Sequence, residues 1–247
     1  MNRQTVLAEI RAGVALLTLN RPARRNAFND QQYDDLRVAL ADAQANDAVR
    51  VVVVTGAAGA FSAGQDIEEM GAGRGFTPFI DQLAAFDKPL IAAVNGVGVG
   101  VGLTMLLHCD IVYVAESARL RAPFVALGLV PEAGSTLLLP LVIGPQRAAE
   151  VFFTAQWISA TDAVALGLAA RVVPDPELVA TALAQAKEIA AQPAAALRHT
   201  KQLLLATRAE ALRAARARED VTQAGRLGSP ENLAAIRAFQ EKRKPHG

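Results

Sequence analysis

Apolar positions along the first two thirds of the chain alternate between a period of two and a period near 3.6, the marks of strands and helices in turn. Thr5–Arg11 and Val14–Asn20 read as two strands joined at Ala12-Gly13. Asp30 then opens a helix to about Asn46, with Tyr33, Leu36, Leu40 and Ala43 on one face. Arg50–Thr55 is a continuous β-branched run, as expected of a strand buried on both faces. A small-residue loop, 56–64, follows, then a helix over Pro78–Phe86 and a strand over Leu90–Val94. Gly100–His108 predicts a short helix and Ile111–Ala115 a further strand. Beyond about residue 145 the strand pattern nearly stops. Pro145–Thr154, Thr161–Leu166, Pro176–Gln192, Ala194–Thr207 and Glu210–Gly225 all carry helical periodicity. Ser229-Pro230-Glu231 opens the last helix as N-cap, first position and acidic first turn. This organisation is an α/β core followed by a helical tail.

Composition sharpens that picture. The chain has 247 residues, 52% hydrophobic, 5% aromatic and 20% charged, with a formal net charge of +1. Alanine supplies about a fifth of the chain, well above ordinary usage. The apolar excess is therefore made of small side chains, which suit close backbone approaches. High apolar content at low net charge excludes disorder, and near-neutral charge argues against a nucleic-acid partner. The single Cys109 excludes a disulfide scaffold, and three histidines cannot build a His-rich metal cluster. Leu90 to Leu107 is 18 residues without a charge, the minimum for a membrane span. Lys88 and Asp110 bracket it closely and Asn95 with four glycines interrupts it, so it reads as no span. Arg3, Glu9 and Arg11 interrupt any apolar stretch near the start, and the expected location is cytoplasmic.

Three segments place backbone amides or a lone carboxylate among apolar neighbours. In Phe61-Ser62-Ala63-Gly64-Gln65-Asp66-Ile67, Gly64 permits an unusual backbone angle that can turn the next amide into a cleft. The plain alternative is a loop with Asp66 capping a helix. The second segment, Asn95 to Gly102, looks like a phosphate loop, but neither dinucleotide nor Walker spacing fits. It reads as a close-packed turn delivering free amides at a helix N-terminus. In the third, Leu127 to Ser135, Glu132 is the only acid between Glu116 and Glu150. Amid apolar neighbours such a carboxyl resists ionisation and suits proton transfer near neutral pH. The plain alternative is an exposed, inert Glu at a helix start. His108 and Cys109 read as packing or strand-capping groups, and Thr104 as a helix residue whose hydroxyl bonds a preceding carbonyl.

Arg21-Pro22 to Asn26-Ala27, A-F-S-A-G-Q-D, I-A-A-V-N-G, H-C-D-I-V-Y and the late L-G-L, in this order, resemble the crotonase (enoyl-CoA hydratase/isomerase) superfamily. The resemblance implies a spiral of repeated ββα units over residues 1–190, and a C-terminal helical region over 191–247 that assembles trimers, often paired as hexamers. It implies an acyl-CoA thioester substrate, with CoA as part of the substrate and no separate cofactor or metal. By position, the amides of Gln65 and Val101 would form an oxyanion hole, with Arg25, Ala27, Ala63, Asp66, Ile67 and Phe124 lining the substrate site. The two glutamates by which hydratases activate water correspond here to Thr104 and Phe124, neither of which can act as acid or base. Glu132 falls where some relatives keep their single catalytic acid. The run P-F-V-A-L-G-L-V-P-E-A-G-S looks like the Δ3,Δ2-enoyl-CoA isomerase branch. That implies proton transfer from C2 to C4 by Glu132; a hydratase, a ring-epoxide isomerase or a non-catalytic acyl-CoA-binding trimer are the alternatives. Arg25, the basic helix faces of Arg198–Arg226 and the Lys242–Lys244 tail are candidate partners for CoA phosphates. Met70, Phe76, Phe79 and Phe86 are candidates for setting the acyl pocket.

Overall fold

The computed structural model describes residues 5–69 and 74–242. Strands β1 (Val6–Arg11) and β2 (Val14–Leu19) form the expected hairpin, in register from Val6 opposite Leu19 to Arg11 opposite Val14. Its two turn residues, Ala12 and Gly13, have φ of 49° and 80°, the left-handed pair that matches the twist of the strands. Helix α1 (Asp30–Ala45) starts where Asn29 accepts the Gln32 N–H at 3.0 Å, and it buries Tyr33, Leu36, Leu40 and Ala43 as its periodicity predicts. Then come β3 (Val51–Gly56), α2 (Phe76–Ala85), β4 (Leu90–Val94), β5 (Val97–Val99), α3 (Val101–Thr104), β6 (Ile111–Ala115) and β7 (Arg119–Arg121). The second half holds α4 (Ser135–Ile143), α5 (Pro145–Thr154), β8 (Ile158–Ser159), α6 (Ala160–Ala165) and β9 (Arg171–Val173). Four helices close the chain: α7 (Leu178–Ala190), α8 (Ala194–Ala206), α9 (Ala209–Arg226) and α10 (Pro230–Lys242).

The main sheet has the order β1-β2-β3-β4-β6-β9, with every pair after the first hairpin parallel. A second sheet, β5-β7-β8, stands beside it. Both faces of the main sheet are covered, which is why β3 and β4 are buried at every residue. On one face α7 lays Ala182, Ala186 and Ala190 against Val51, Val53 and Ile91. Methyl side chains let that helix lie close to the sheet, so part of the alanine excess is spent here. On the other face Phe28, Tyr33, Leu36, Leu40, Phe79 and Leu83 belong to the larger core.

The uncharged 18-residue run is not one helix. It divides into β4, a turn at Asn95-Gly96, β5, and α3 with the 3₁₀ turn Met105–His108. Gly96 has φ of 61°, and a Cβ there would lie 2.1 Å from the Gly59 carbonyl oxygen. Among the described residues no helix is long and apolar enough to cross a membrane.

Four strands lie outside the sequence expectation. Strands β5, β7, β8 and β9 are two or three residues long, too short for a period of two to register. Helix α4, which the sequence offers only as the plain alternative for Glu132, starts three residues later at Ser135. Its sequence, S-T-L-L-L-P-L-V-I, is apolar almost all round and contains Pro140, so it shows no amphipathic stripe.

Candidate active site

The loop 61–67 and the start of α3 meet at glycine. Gly64 has φ of 91°, and a Cβ there would come within 2.7 Å of the Val99 carbonyl oxygen. Gly102 is similar: its Cβ would meet the Ser62 carbonyl oxygen at 2.8 Å. Only bare backbone lets the two loops lie this close.

The peptides on either side of this contact are oriented by their own carbonyls. The Gly64 C=O accepts the Phe28 N–H at 2.7 Å, and the Phe28 C=O accepts the Asp66 N–H at 2.8 Å. A trans peptide points its N–H opposite to its C=O, so the Gln65 N–H is turned away from Phe28. In the same way the Gly100 C=O accepts from Leu103 and Thr104, both at 2.9 Å, inside the first turn of α3. The Val101 N–H therefore points out of that helix start. Neither amide has an acceptor among the described residues. They are the two amides that the resemblance assigns to an oxyanion hole.

Asp66 does cap the short turn Ile67–Glu69, accepting the Glu68 N–H at 3.2 Å, and pairs with Arg21 at 3.1 Å. The plain reading of its side chain thus holds, while the amide one residue earlier stays free. Arg25 and Asn26 have φ of 49° and 55°, and the Arg25 C=O accepts the Ala63 N–H at 2.9 Å. That bond sets Arg25 against Ala63, Arg21 donates to both Ala27 O and Asp66, and Ile67 opens the short turn that Asp66 caps. Arg25 itself is exposed, and Ala27 is buried.

Glu132 sits half-buried on a turn of its own. Ala133 and Gly134 follow it with φ of 62° and 75°, and the Ser135 N–H returns to the Glu132 carbonyl at 3.0 Å. Its carboxyl has no hydrogen-bond partner among the described residues. Burial, and then the charges of Glu219 and Asp220, push its pKa up to about 8. Glu132 and Tyr33 are near enough for their charges to oppose each other, and burial and Glu132 hold the Tyr33 phenol well above its ordinary pKa.

Two braces fix the turn, and neither was legible as such in the sequence. His108 Nε2 lies 2.8 Å from the Ala133 carbonyl oxygen. Burial lowers the His108 pKa to about 4, so the ring is neutral and its Nε2–H is the donor. The second brace comes from α9. Buried Glu219 accepts the Gly134 N–H at 2.6 Å, the Thr136 N–H at 2.9 Å and the Thr136 hydroxyl at 2.5 Å. A carboxylate at the start of α4 also meets the positive end of that helix. Cys109 is no nucleophile: burial, and then Asp110, push its thiol up to about 12.

Thr104 and Phe124 are both buried. The Thr104 hydroxyl does not bond a preceding carbonyl as expected: it is buried without a partner among the described residues, as are Ser135 Oγ and His108 Nδ1. The residue four back, Gly100, stands outside α3 with φ of 55°, and its C=O already accepts the Leu103 and Thr104 N–H groups, so the helical carbonyl that back-bond needs is not offered. Of the proposed pocket residues, Phe79 and Phe86 lie fully in the core, and half-buried Phe76 packs edge-on to Tyr33. Met70 and residues 243–244 of the basic tail fall outside the described residues.

A sequence model described as enoyl-CoA hydratase/isomerase matches residues 9–246. The chain is 38% identical over 212 residues to 1,2-epoxyphenylacetyl-CoA isomerase of Escherichia coli (strain K12), covering 81% of each. It is 33% identical over 252 residues to enoyl-CoA delta isomerase 2 of Rattus norvegicus, covering 97% of this chain and 64% of that protein. The crystal structure of an enoyl-CoA hydratase/isomerase from Pseudoalteromonas atlantica T6c matches with a TM-score of 0.94 at 37% identity, over 98% of this chain and 99% of that one. Further relatives of similar identity bear hydratase names.

Proposed function

Because the chain belongs to the enoyl-CoA hydratase/isomerase family and has the crotonase fold, we propose that it is a Δ3,Δ2-enoyl-CoA isomerase with Glu132 as its one acid–base group. In this reaction the ionised Glu132 takes a proton from C2 of a 3-enoyl-CoA. The electron pair moves onto the thioester oxygen as a dienolate, which the Gln65 and Val101 N–H groups stabilise. The protonated Glu132 then returns the proton to C4, and the double bond lies between C2 and C3. Electrons stay within the substrate, so the reaction consumes no cofactor. Each amide can contribute about 3 kcal/mol to lowering the barrier.

The observation that carries this reading is the state of Glu132. Its carboxyl is unbonded, half-buried and raised to about 8, near the pH at which a group can both take and return a proton. Support comes also from Thr104 and Phe124, which stand where the resemblance places the water-activating glutamates of hydratases. Buried Phe124 leads into the Glu132 segment, its C=O accepting the Leu129 N–H at 2.9 Å, and offers water no partner.

A second reading, isomerisation of a ring-epoxidised aryl-CoA thioester, is favoured by the likeness to the E. coli epoxyphenylacetyl-CoA isomerase. Offering 3-enoyl-CoA, 2-enoyl-CoA and the aryl epoxide separately decides the matter. The proposed isomerase converts the first, does not hydrate the second and ignores the third. Glu132→Gln should cut turnover by about 10²–10⁴-fold while acyl-CoA binding persists, and a variant that keeps its turnover overturns the assignment. The same reading makes the protein a cytoplasmic homotrimer or dimer of trimers, covering exposed Leu141, Phe153, Leu203, Leu204 and Val221. Sedimentation of the purified chain tests that assembly.

A further inference from the structure

Gln65 is held at three points, and all three come from one stacked aromatic pair. Phe28 takes the peptides before and after Gln65 through its own N–H and C=O, at 2.7 and 2.8 Å. The third point is the side chain: the Tyr33 hydroxyl donates to Gln65 Oε1 at 2.8 Å. Phe28 and Tyr33 are stacked with ring centroids 4.8 Å apart. Both are fully buried, and Phe79 packs against both, 5.8 Å from Phe28 and 5.6 Å from Tyr33.

From this geometry we infer that Tyr33 is a positioning residue for the oxyanion hole, and that its hydroxyl locks the peptide whose N–H receives the thioester oxygen. The inference rests on the proposed acyl-CoA chemistry and adds a residue to it. Two backbone bonds to one residue leave Gln65 free to rock about the line that joins them. The Gly64–Gln65 peptide is exposed to such rocking because Gly64 has no Cβ to restrain it. A side-chain bond off that line removes the motion. Catalysis by fixed dipoles depends on donors that are already in place, and a supporting shell too loose by about 1 Å loses much of the effect.

Tyr33 is suited to this task in a way Phe is not. A buried phenol must find a partner for its O–H, and Gln65 Oε1 is that partner. The ring meanwhile is fixed by its stacking on Phe28 and by the edge of Phe76, 5.7 Å away. Tyr33 also lies within electrostatic reach of Glu132. One rigid side chain therefore bonds the residue that carries the amide donor and feels the charge of the proton carrier.

Tyr33→Phe removes the hydroxyl and keeps the stacking. The carbonyl stretch of hexanoyl-CoA carrying ¹³C at its thioester carbon, recorded by infrared difference on saturated protein, reads the hole directly. This saturated thioester has no double bond to move or hydrate. In the wild-type protein and in Glu132→Gln the stretch should fall to lower frequency on binding. Tyr33→Phe and Gln65→Ala should each lose a large part of that displacement. The double variant should lose no more than either alone, because both cut the same link. With 3-enoyl-CoA, kcat of Tyr33→Phe should fall about tenfold, a fraction of the loss expected for removing a whole donor, with KM changed less than threefold. A full wild-type displacement in Tyr33→Phe, or additive losses in the double variant, overturns the inference. Failure of the isomerase reading would show separately, as a wild-type protein that polarises hexanoyl-CoA but leaves 3-enoyl-CoA unchanged.

Discussion

Glu219 Oε2 accepts the Gly134 N–H at 2.6 Å, two residues beyond Glu132, so a carboxylate of α9 holds the turn that carries the proposed base. The same contact places one buried acid near another. Burial is the larger cause of the raised Glu132 pKa, and Glu219 is the next.

Removing that charge should move the pH profile. Glu132 must be ionised to take a proton, so kcat/KM should rise with pH through a value of about 8. Glu219→Gln removes the negative charge while keeping one of the two acceptor oxygens that hold the turn. The ionised form of Glu132 then becomes easier to reach, and the rising arm should lie at lower pH than in the wild type. An arm that does not move would show that the Glu219 charge does not set it.

Glu132 should also cost stability where it is ionised. Its folded pKa of about 8 exceeds the ordinary value of 4.5, so the folded state binds the proton more tightly than the unfolded state. The resulting stabilisation is complete below about 4.5 and is lost as pH rises through about 8. Glu132→Gln removes this dependence. Relative to the wild type, its Tm should gain with each step of pH from 5 to 8 and level off above, and a constant difference over that window would contradict the raised pKa.

Gly64→Ala tests the contact between the two amide loops. The new Cβ would meet the Val99 carbonyl oxygen at 2.7 Å with φ of 91°. Neither a main-chain oxygen nor a left-handed backbone yields cheaply, and stability should fall by about 1–2 kcal/mol from the backbone strain alone. Activity should suffer more. Pushing the loops apart displaces one donor, and kcat should fall about 10²–10³-fold. A variant with lowered Tm and unchanged kcat would mean that this contact does not set the hole.

Asp110→Asn should act on stability alone. Lys201 of α8, only 4% exposed, pairs with both Asp110 oxygens at 2.6 and 2.7 Å, and Asp110 also receives the Leu90 N–H at 2.8 Å. The substitution leaves a buried ammonium without its counter-charge. Because the Asp110 side chain is 27% exposed, the expected loss is about 2–3 kcal/mol, below that of a fully buried pair. Adding Lys201→Met should recover part of it. A single variant as stable as the wild type in urea would show the pair to be screened.

Much of the fold was legible because its signals are local. The hairpin turn at Ala12-Gly13, the apolar face of α1, the β-branched run of β3 and the cap at Ser229 each follow from a few neighbouring residues. So did the two glycine-rich loops and the isolation of Glu132 among apolar neighbours. The short strands β5, β7, β8 and β9 were not legible, since each exists only because a partner strand lies beside it. The same holds for the braces of the site. His108 and Ala133 are 25 residues apart, and Glu219 and Gly134 are 85 apart. Nothing in the basic helix around Glu219 marks that one acid as buried.

The sequence by itself determined the local ingredients: a carboxyl at 132 isolated among apolar neighbours, and glycines at 64 and 100 that can free the amide that follows each. It could do so because glycine and charge act through their own backbone and their own solvation. Tertiary structure alone decided how those groups are held. The Tyr33 hydroxyl meets Gln65 across 32 residues, and Glu219 reaches the Glu132 turn from a distant helix, because packing pairs residues by position in space. Preorganisation is a property of those pairings, and no local pattern encodes it.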